Sequence, residues 1–132
     1  MKQHEYVEFV DGITSIQSRN IESFIHRVEE LDSLGVDVPR ILTAAIGMSN
    51  EAGEFGEYVK KMLFQGKEPT LEVRDKMKSE LGDVLWYFTQ ALIALGFSME
   101  EIQDCNVDKL RGRMGGDKFD VAKSEARYKT NN

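Results

Sequence analysis

The sequence predicts an all-α fold. Apolar residues recur at spacings of three and four along nearly the whole chain of 132 residues, the spacing typical of amphipathic helices. The chain contains only two prolines, and no stretch shows the alternation of polar and apolar residues expected of a strand. A chain of this length fits a single domain, 1–132, and we expect a bundle of four to five helices.

Two helices are predicted in the first third of the chain. The first covers about residues 4–16; the second begins after Asn20, a preferred N-cap residue, and ends at Gly35. One bent helix would fit the same pattern. Residues 36–39 are predicted as a connector. The apolar residues expected to be buried are Tyr6, Phe9, Val10, Ile13 and Ile16, then Ile21, Phe24, Ile25, Val28 and Leu31.

Two longer helices follow, at about 40–64 and 71–96, joined by a loop at 65–69. Thr70 is placed to cap the second of them. Because the loop is short, we expect the two helices to pack as an antiparallel hairpin. The predicted core stripes are Ile41, Ala45, Met48, Ala52, Phe55, Val59 and Leu63, then Met77, Leu81, Val84, Phe88, Ala91 and Leu95.

A last helix is predicted at about 99–112. Gly96 ends the helix before it, and Ser98 with Glu101 has the spacing of a capping box. Gly115 and Gly116 interrupt helical structure. The segment 115–132 is polar, and we expect it to be a loosely ordered tail.

Two short acidic motifs stand inside the two long helices. Glu51 and Glu54, and likewise Glu80 and Asp83, are three residues apart and so share one helix face. Like charges brought together repel by about 4 kcal/mol per close pair near a protein surface. A divalent cation would convert that repulsion into ligation, and oxygen ligands suit Mg²⁺ or Mn²⁺. The alternative is that the acids form the solvated border of amphipathic helices.

Glycines and tyrosines accompany these motifs. Gly53 and Gly82 each lie mid-helix, where glycine costs about 1 kcal/mol relative to alanine, so we expect another backbone or a ligand to come close. Tyr58 and Tyr87 lie one turn beyond the acids. They either orient ligands or cover the cleft.

Basic and amide residues line one face of the last helix, in positions where apolar residues would be expected. Their charges and directed donors suit phosphate oxygens. The alternative is a surface ladder with Asp104 and Asp108. These candidate phosphate-binding residues are Asn106, Lys109 and Arg113, with Lys60 and Lys61 as weaker candidates.

Charge and composition limit the possible partners and location. A net charge of −6 argues against binding nucleic acid over a broad surface. No apolar run reaches membrane-spanning length, the N-terminus lacks the apolar segment of a signal peptide, and Cys105 is the single cysteine. We therefore expect a cytoplasmic protein that binds neither nucleic acid nor a membrane.

Three segments resemble a known family. The runs 50–57 (Asn-Glu-Ala-Gly-Glu-Phe-Gly-Glu), 80–87 (Glu-Leu-Gly-Asp-Val-Leu-Trp-Tyr) and 106–113 (Asn-Val-Asp-Lys-Leu-Arg-Gly-Arg) are similar in order and spacing to the MazG-like nucleotide pyrophosphohydrolases. The likeness covers roughly residues 38–114. It implies an all-α enzyme that cleaves a nucleoside triphosphate to the monophosphate and pyrophosphate.

The resemblance also implies roles for single residues. Mg²⁺ would be held by four acids, and the last motif would contact phosphates through Lys109 and Arg113, with Asn106 at the nucleotide. We choose Glu51 as the general base. The family's first motif often begins with two glutamates, and here Asn50 stands at the leading position. The four acids are Glu51, Glu54, Glu80 and Asp83.

Self-association is predicted on two grounds. Trp86, Ile93 and Phe97 form a second apolar face, which favours packing on another helix or subunit; the alternative for Trp86 is stacking on a base. The family resemblance also favours dimers or tetramers. The competing function is a non-catalytic helical interaction or regulatory module that keeps the shape of the metal site, and the charge change at Asn50 is the feature that favours it.

Overall fold

The computed structural model describes residues 2–126, and every regular element in that range is helical. A 3₁₀ turn at Ile16–Ser18 follows the first helix, and no strand occurs within the described range. The all-α prediction is therefore confirmed. The helices are α1 (Gln3–Ile13), α2 (Ile21–Ser33), α3 (Val38–Phe64), α4 (Leu71–Leu95), α5 (Met99–Met114) and α6 (Val121–Ala126).

The first two helices are separate and shorter than predicted. α1 ends at Ile13, and Thr14 follows it in an extended conformation, so the predicted end at residue 16 and the single bent helix are both wrong. Asn20 caps α2 as predicted, because its Oδ1 accepts a hydrogen bond of 2.8 Å from the backbone N–H of Ser23. Gly35 follows α2 with a φ of +87°, the left-handed conformation that glycine adopts without strain.

α3 begins earlier than predicted. Asp37 caps it by accepting a hydrogen bond of 3.2 Å from the backbone N–H of Arg40. Pro39 lies in the first turn, where a residue without an N–H leaves no helical hydrogen bond unmade. The predicted connector at 36–39 is therefore wrong from Val38 onward.

The caps of α4 and α5 confirm the predicted starts. The Thr70 hydroxyl accepts from the backbone N–H of Val73 at 3.2 Å. Ser98 and Glu101 form the full capping box, with hydrogen bonds in both directions. Gly115 ends α5 with a φ of +71°.

The polar tail contains a helix that the sequence analysis missed. α6 begins after Asp120, whose Oδ1 accepts from the backbone N–H of Lys123 at 2.9 Å. A helix of six residues is too short to show apolar periodicity, so the expectation of loose order is wrong for Val121–Ala126. Residues 127–132 of the predicted tail lie outside the described range.

The chain divides after Leu95 into two compact units, and each is treated separately below. In the first unit α3 and α4 pack along each other, and α2 contacts α3. The residues of the α3–α4 seam are spaced alternately three and four apart, which is the spacing of a coiled-coil seam, and all are buried or half-buried. They are Ile41, Ala44, Met48, Glu51, Phe55, Tyr58 and Met62 on α3, and Val73, Met77, Glu80, Val84, Tyr87, Ala91 and Ala94 on α4.

This seam corrects the predicted core stripes. The predicted α3 stripe was drawn through apolar residues alone, so it includes Ala52 and leaves out Glu51. In the structure Glu51 is half-buried and Ala52 is exposed. On α4 the same assumption places Leu81 in the core in place of Glu80. At both acids the predicted core position is therefore one residue away from the buried position. The predicted stripe residues that are exposed are Ala45, Ala52, Leu63, Leu81 and Leu95.

The hydrophobic core is small. Within the described range the buried hydrophobic residues are Ala44, Val73 and Leu92. The predicted core residues of the first two helices are exposed, except Val28 and Leu31, which are half-buried, because little of the single chain covers these helices. The exposed ones are Tyr6, Phe9, Val10, Ile13, Ile16, Ile21, Phe24 and Ile25.

In the second unit α5 contacts α6. The Lys123 Nζ donates a hydrogen bond of 2.8 Å to the backbone carbonyl of Met114, and Arg111 forms an ion pair with Asp117. Over residues 2–126, no single helix is long and apolar enough to cross a membrane.

Candidate metal centre

Three carboxylates meet where α3 and α4 pack together. Glu51 and Glu54 lie one turn apart on α3, and Glu80 faces them from α4. One oxygen atom from each of the three lies within 4.8 Å of the other two. The spacing of three residues sets the first pair, and the packing of the helices brings the third acid to them.

Glu51 and Glu80 occupy seam positions where neighbouring turns carry apolar or aromatic residues. Both are half-buried, while Glu54 is exposed at the edge of the seam. Desolvation raises the pKa of the Glu80 carboxyl, and the nearby charges of Glu54, Glu51 and Asp83 raise it further. The cluster thus concentrates negative charge that is partly withdrawn from water, which is the environment that favours cation binding.

Asp83 stands apart from the three-acid group. It is exposed on α4, and its oxygens are not among those that approach within 4.8 Å of one another. Its charge contributes to the raised pKa of Glu80. Its role as a fourth ligand stays a prediction.

The Asn50 side chain contacts the site. Its Nδ2 donates a hydrogen bond of 3.2 Å to Oε1 of Glu54, one turn further along α3. An amide therefore orients one of the three carboxylates.

The structure does not bear out the expectation that another backbone lies close to Gly53 and Gly82, and the alternative expectation, that a ligand comes close, stays a prediction. A Cβ placed on Gly53 or Gly82 would meet no atom within 4 Å, so no other part of the described chain approaches them. Another part of the chain does approach Gly47, which is buried: a Cβ on this residue would overlap the ring of Tyr87. Tyr87 in turn meets Trp86 edge to face, with ring centroids 4.8 Å apart. The sequence signal for this contact was the seam spacing that places Tyr87 against α3.

An open groove of about 820 Å³ runs along the exposed face of α3 beside the acids. Glu54 belongs both to this groove and to the three-acid group. The groove therefore reaches the candidate metal site. Its lining residues are Ala45, Ile46, Ser49, Asn50, Gly53, Glu54 and Glu57.

Lys60 and Lys61 both pair with Glu57. The two Nζ–carboxylate distances are 2.7 Å and 3.6 Å, and the hydrogen bond from Lys60 lowers the pKa of the Glu57 carboxyl. Each lysine would have to leave this pair to contact a phosphate. Their predicted role in phosphate binding is untested.

The other candidate phosphate-binding residues lie on α5, in the second unit. Asn106 and Lys109 are exposed and Arg113 is half-buried. Their spacing of three and four residues places them on one helix face. Within residues 2–126 Lys109 makes no ion pair with Asp104 or Asp108, and the choice between phosphate binding and a surface ladder is untested.

Residues 41–115 match the family model described as the MazG nucleotide pyrophosphohydrolase domain. The match covers more than half of the chain. The chain belongs to the MazG family. The MazG match encloses the three-acid group and also Asp83, Asn106, Lys109 and Arg113. The resemblance found in the three motif segments is thereby confirmed.

Among known proteins, the chain is similar to the Gene 37 protein of Mycobacterium phage L5. The two are 39% identical over 70 residues, which is 52% of this chain and 60% of the phage protein. The chain thus covers less than two thirds of that relative. No solved structure matches the chain.

Proposed function

We propose that this MazG protein hydrolyses a nucleoside triphosphate to the nucleoside monophosphate and pyrophosphate with the help of Mg²⁺, for which Mn²⁺ can substitute. The observation that carries the proposal is the group of three carboxylates contributed by two helices within the MazG match. The antiparallel α3–α4 hairpin is the platform that holds them.

The three acids fit a divalent cation. Opposite ligands of an octahedral Mg²⁺ lie roughly 4.2 Å apart, and adjacent ligands lie closer. Oxygens already within 4.8 Å of one another reach that geometry by small side-chain rotations. When bound, the cation supplies charge neutralisation of the triphosphate as the bond to pyrophosphate breaks. Asp83, one turn after Glu80, is the proposed fourth ligand.

Glu51 is the proposed general base. A water molecule attacks the α-phosphorus, the new bond joins the water oxygen to that phosphorus, and the water proton passes to the Glu51 carboxylate. The bond between the α-phosphorus and the bridging oxygen breaks, and that oxygen leaves with pyrophosphate. Glu51 is half-buried in the seam beside Glu54 and Glu80, which supports this role because a general base must be positioned at the reacting water.

Basic residues are proposed to receive the phosphates. Lys109 and Arg113 would donate charge-assisted hydrogen bonds to the leaving pyrophosphate, and Asn106 would contact the nucleotide. Lys60 and Lys61 are secondary candidates, since both already pair with Glu57.

Self-association as a dimer or tetramer is part of the proposal. Within the described range only Ala44, Val73 and Leu92 are buried hydrophobic residues. Large side chains such as Trp86 and Ile93 are exposed by more than half of their area. A chain of 132 residues ordinarily buries a larger core, and a second copy would cover these faces.

Pyrophosphate release from a panel of NTPs and dNTPs, with Mg²⁺, Mn²⁺ or EDTA, tests the proposal. The variant Glu80→Gln removes one charge of the three-acid group at constant shape. Its matched control is Glu72→Gln, also on α4, because Glu72 is exposed and pairs only locally with Lys76 at 2.7 Å.

We expect metal-dependent release of pyrophosphate and monophosphate in equal amounts, lost in Glu80→Gln and kept in Glu72→Gln. Full turnover by a folded Glu80→Gln variant would refute the scheme. A folded wild type that binds Mn²⁺ but turns over no nucleotide would favour the non-catalytic interaction module.

A further inference from the structure

α3 and α4 pack closely together where Gly47 meets Tyr87. A Cβ on Gly47 would overlap the Cγ, Cδ1 and Cε1 atoms of the Tyr87 ring, so only glycine fits. Gly47 is buried in the middle of a helix of 27 residues. Glycine there costs about 1 kcal/mol relative to alanine, which the contact with the ring must offset.

This contact lies one turn from Glu51 on α3 and two turns from Glu80 on α4. Counting four residues forward from Gly47 reaches Glu51 on α3. Counting four residues backward from Tyr87 reaches Asp83, and three more reach Glu80. Because the two helices run in opposite directions, both counts proceed from the contact toward the three-acid group. The same alignment of α3 against α4 therefore produces both the contact of Gly47 with Tyr87 and the meeting of the acids.

A second contact on the far side of Gly47 agrees with this register. The Arg40 Nη1 donates a part-buried hydrogen bond of 2.7 Å to Oε1 of Gln90. Arg40 precedes Gly47 on α3, and Gln90 follows Tyr87 on α4. The two helices therefore contact each other on both sides of the Tyr87 ring, and the ring contact lies inside the packed part of the helix pair.

We propose that Gly47 and Tyr87 are positioning residues that set the register of α3 against α4 and thereby the distances among the carboxylates of Glu51, Glu54 and Glu80. The inference rests on the proposed function, since it assigns these residues a part in building the metal site. A slip of one residue moves a helix by about 1.5 Å along its axis. A displacement of that size is comparable to a metal–oxygen bond length, so it separates the acids from a common ion.

The ring, and not the hydroxyl, carries the contact. The Tyr87 atoms that a Cβ on Gly47 would meet are ring carbons. The ring is also fixed from the side by the edge-to-face contact with Trp86. Tyr87→Phe should therefore keep the register, and Tyr87→Ala should lose it.

Mn²⁺ affinity, measured by electron paramagnetic resonance on the full chain, tests the inference. We expect Gly47→Ala to weaken Mn²⁺ binding by about tenfold, the size of effect seen for residues that orient metal ligands. We expect Tyr87→Ala to weaken it and Tyr87→Phe to leave it unchanged. In the Tyr87→Ala background, adding Gly47→Ala should change the affinity little, because the added methyl no longer meets a ring.

The matched control is Gly56→Ala. Gly56 lies on the same helix, and a Cβ there would meet no atom within 4 Å. This variant should raise the unfolding temperature through helix propensity and leave Mn²⁺ affinity unchanged. Thermal unfolding of every variant, recorded alongside, separates loss of the folded state from loss of the metal site.

The outcomes separate this inference from the proposed function. A wild type that binds no Mn²⁺ would overturn both. A wild type that binds Mn²⁺, with Gly47→Ala binding equally well, would overturn this inference alone. The same holds if Gly47→Ala weakens binding as much with Tyr87→Ala as without it. Should Gly47→Ala fail to fold, the contrast between Tyr87→Ala and Tyr87→Phe decides, and equal affinities of those two would refute the role of the ring.

Discussion

The side-chain amide of Asn50 donates a hydrogen bond of 3.2 Å to the carboxylate of Glu54, one turn along α3. A glutamate at position 50 would be a further acid beside the cluster, whereas the amide is neutral and donates. Asn50 thus holds one of the clustered carboxylates in place without adding to the repulsion among them.

Two substitutions of Asn50, to Ala and to Asp, should change the Mn²⁺ affinity in opposite directions. Asn50→Ala removes the donor, and an exposed hydrogen bond worth about 0.5–1 kcal/mol predicts a loss of roughly two- to fivefold. Asn50→Asp adds a negative charge near the cation and should tighten binding. Isothermal titration with Mn²⁺ measures both. Equal changes in the two variants would show that the amide has no part in the site.

In the metal-free protein the pKa of the Glu80 carboxyl should be higher than that of an ordinary glutamate. Desolvation is the largest cause that raises the pKa of this carboxyl, and the charges of Glu54 and Glu51 are the next largest. In Glu54→Gln the pKa of Glu80 should fall toward the ordinary value, because one neighbouring charge is gone. Carboxyl ¹³C NMR through a pH titration measures this shift, and Glu72→Gln is the control that should leave the Glu80 titration unchanged.

The same raised pKa predicts how the stability of the metal-free protein depends on pH. Because the folded state binds the Glu80 proton more tightly than the unfolded state, the contribution of Glu80 is most favourable below the unfolded pKa. It declines as the pH rises through the folded pKa. Denaturant unfolding in EDTA at several pH values should show this decline in the difference between the stabilities of the wild type and of Glu80→Gln, because the contributions of all other groups are common to both.

Local signals allowed the helices to be predicted from the sequence. Asn20, Thr70 and the pair Ser98 and Glu101 mark helix starts that the structure confirms, because a cap depends on neighbouring residues alone. α6 was missed because its six residues are too few to show a period. The exposed faces of α1 and α2 could not be predicted, since burial depends on what packs against a helix.

The three acids of the cluster were also predictable, because their spacing within each helix is local. Their position inside the seam could not be predicted in this way, because a stripe drawn from apolar residues alone cannot contain Glu51 or Glu80. The contact of Gly47 with Tyr87 depends on the register between two helices, which no single helix encodes. A close approach was predicted at Gly53 and Gly82 because they lie within the motifs, yet in the described part of the chain a Cβ on either glycine would meet no atom within 4 Å.

Loss of the basic face on α5 should impair substrate binding and leave the metal site intact. Lys109→Ala and Arg113→Ala should each raise KM for the nucleotide by roughly tenfold or more, since a hydrogen bond to a charged group contributes about 1.5–3 kcal/mol. Mn²⁺ affinity without nucleotide should stay unchanged. Lys118→Ala is a matched exposed lysine of the same unit and should leave KM unaltered. A change in Mn²⁺ affinity with KM unaffected would contradict the assignment.

A charge on the exposed face of α4 should weaken self-association. Trp86 and Ile93 are 54% and 58% exposed in the single chain, and burial of either in an interface removes a large apolar area from water. Trp86→Glu and Ile93→Glu should raise the dissociation constant by about 100-fold, because a buried unpaired carboxylate costs several kcal/mol. Sedimentation velocity over a concentration series measures it, with Lys78→Glu on α4 as the control. A wild type that sediments as a stable monomer would refute self-association.

The effects of Asp83 and Glu54 on metal binding test whether Asp83 is the fourth ligand that we propose. Glu54 belongs to the group of oxygens within 4.8 Å of one another, while Asp83 lies outside it and acts on Glu80 through its charge. In the geometry of the structure, Glu54→Gln removes a ligand and should weaken Mn²⁺ binding by about tenfold or more, whereas Asp83→Asn removes only a more distant charge. If Asp83 instead rotates onto the ion as the fourth ligand, the two losses will be of equal size. Titration of Mn²⁺ into both variants at one pH and ionic strength therefore determines whether the cation is held by three acids or by four.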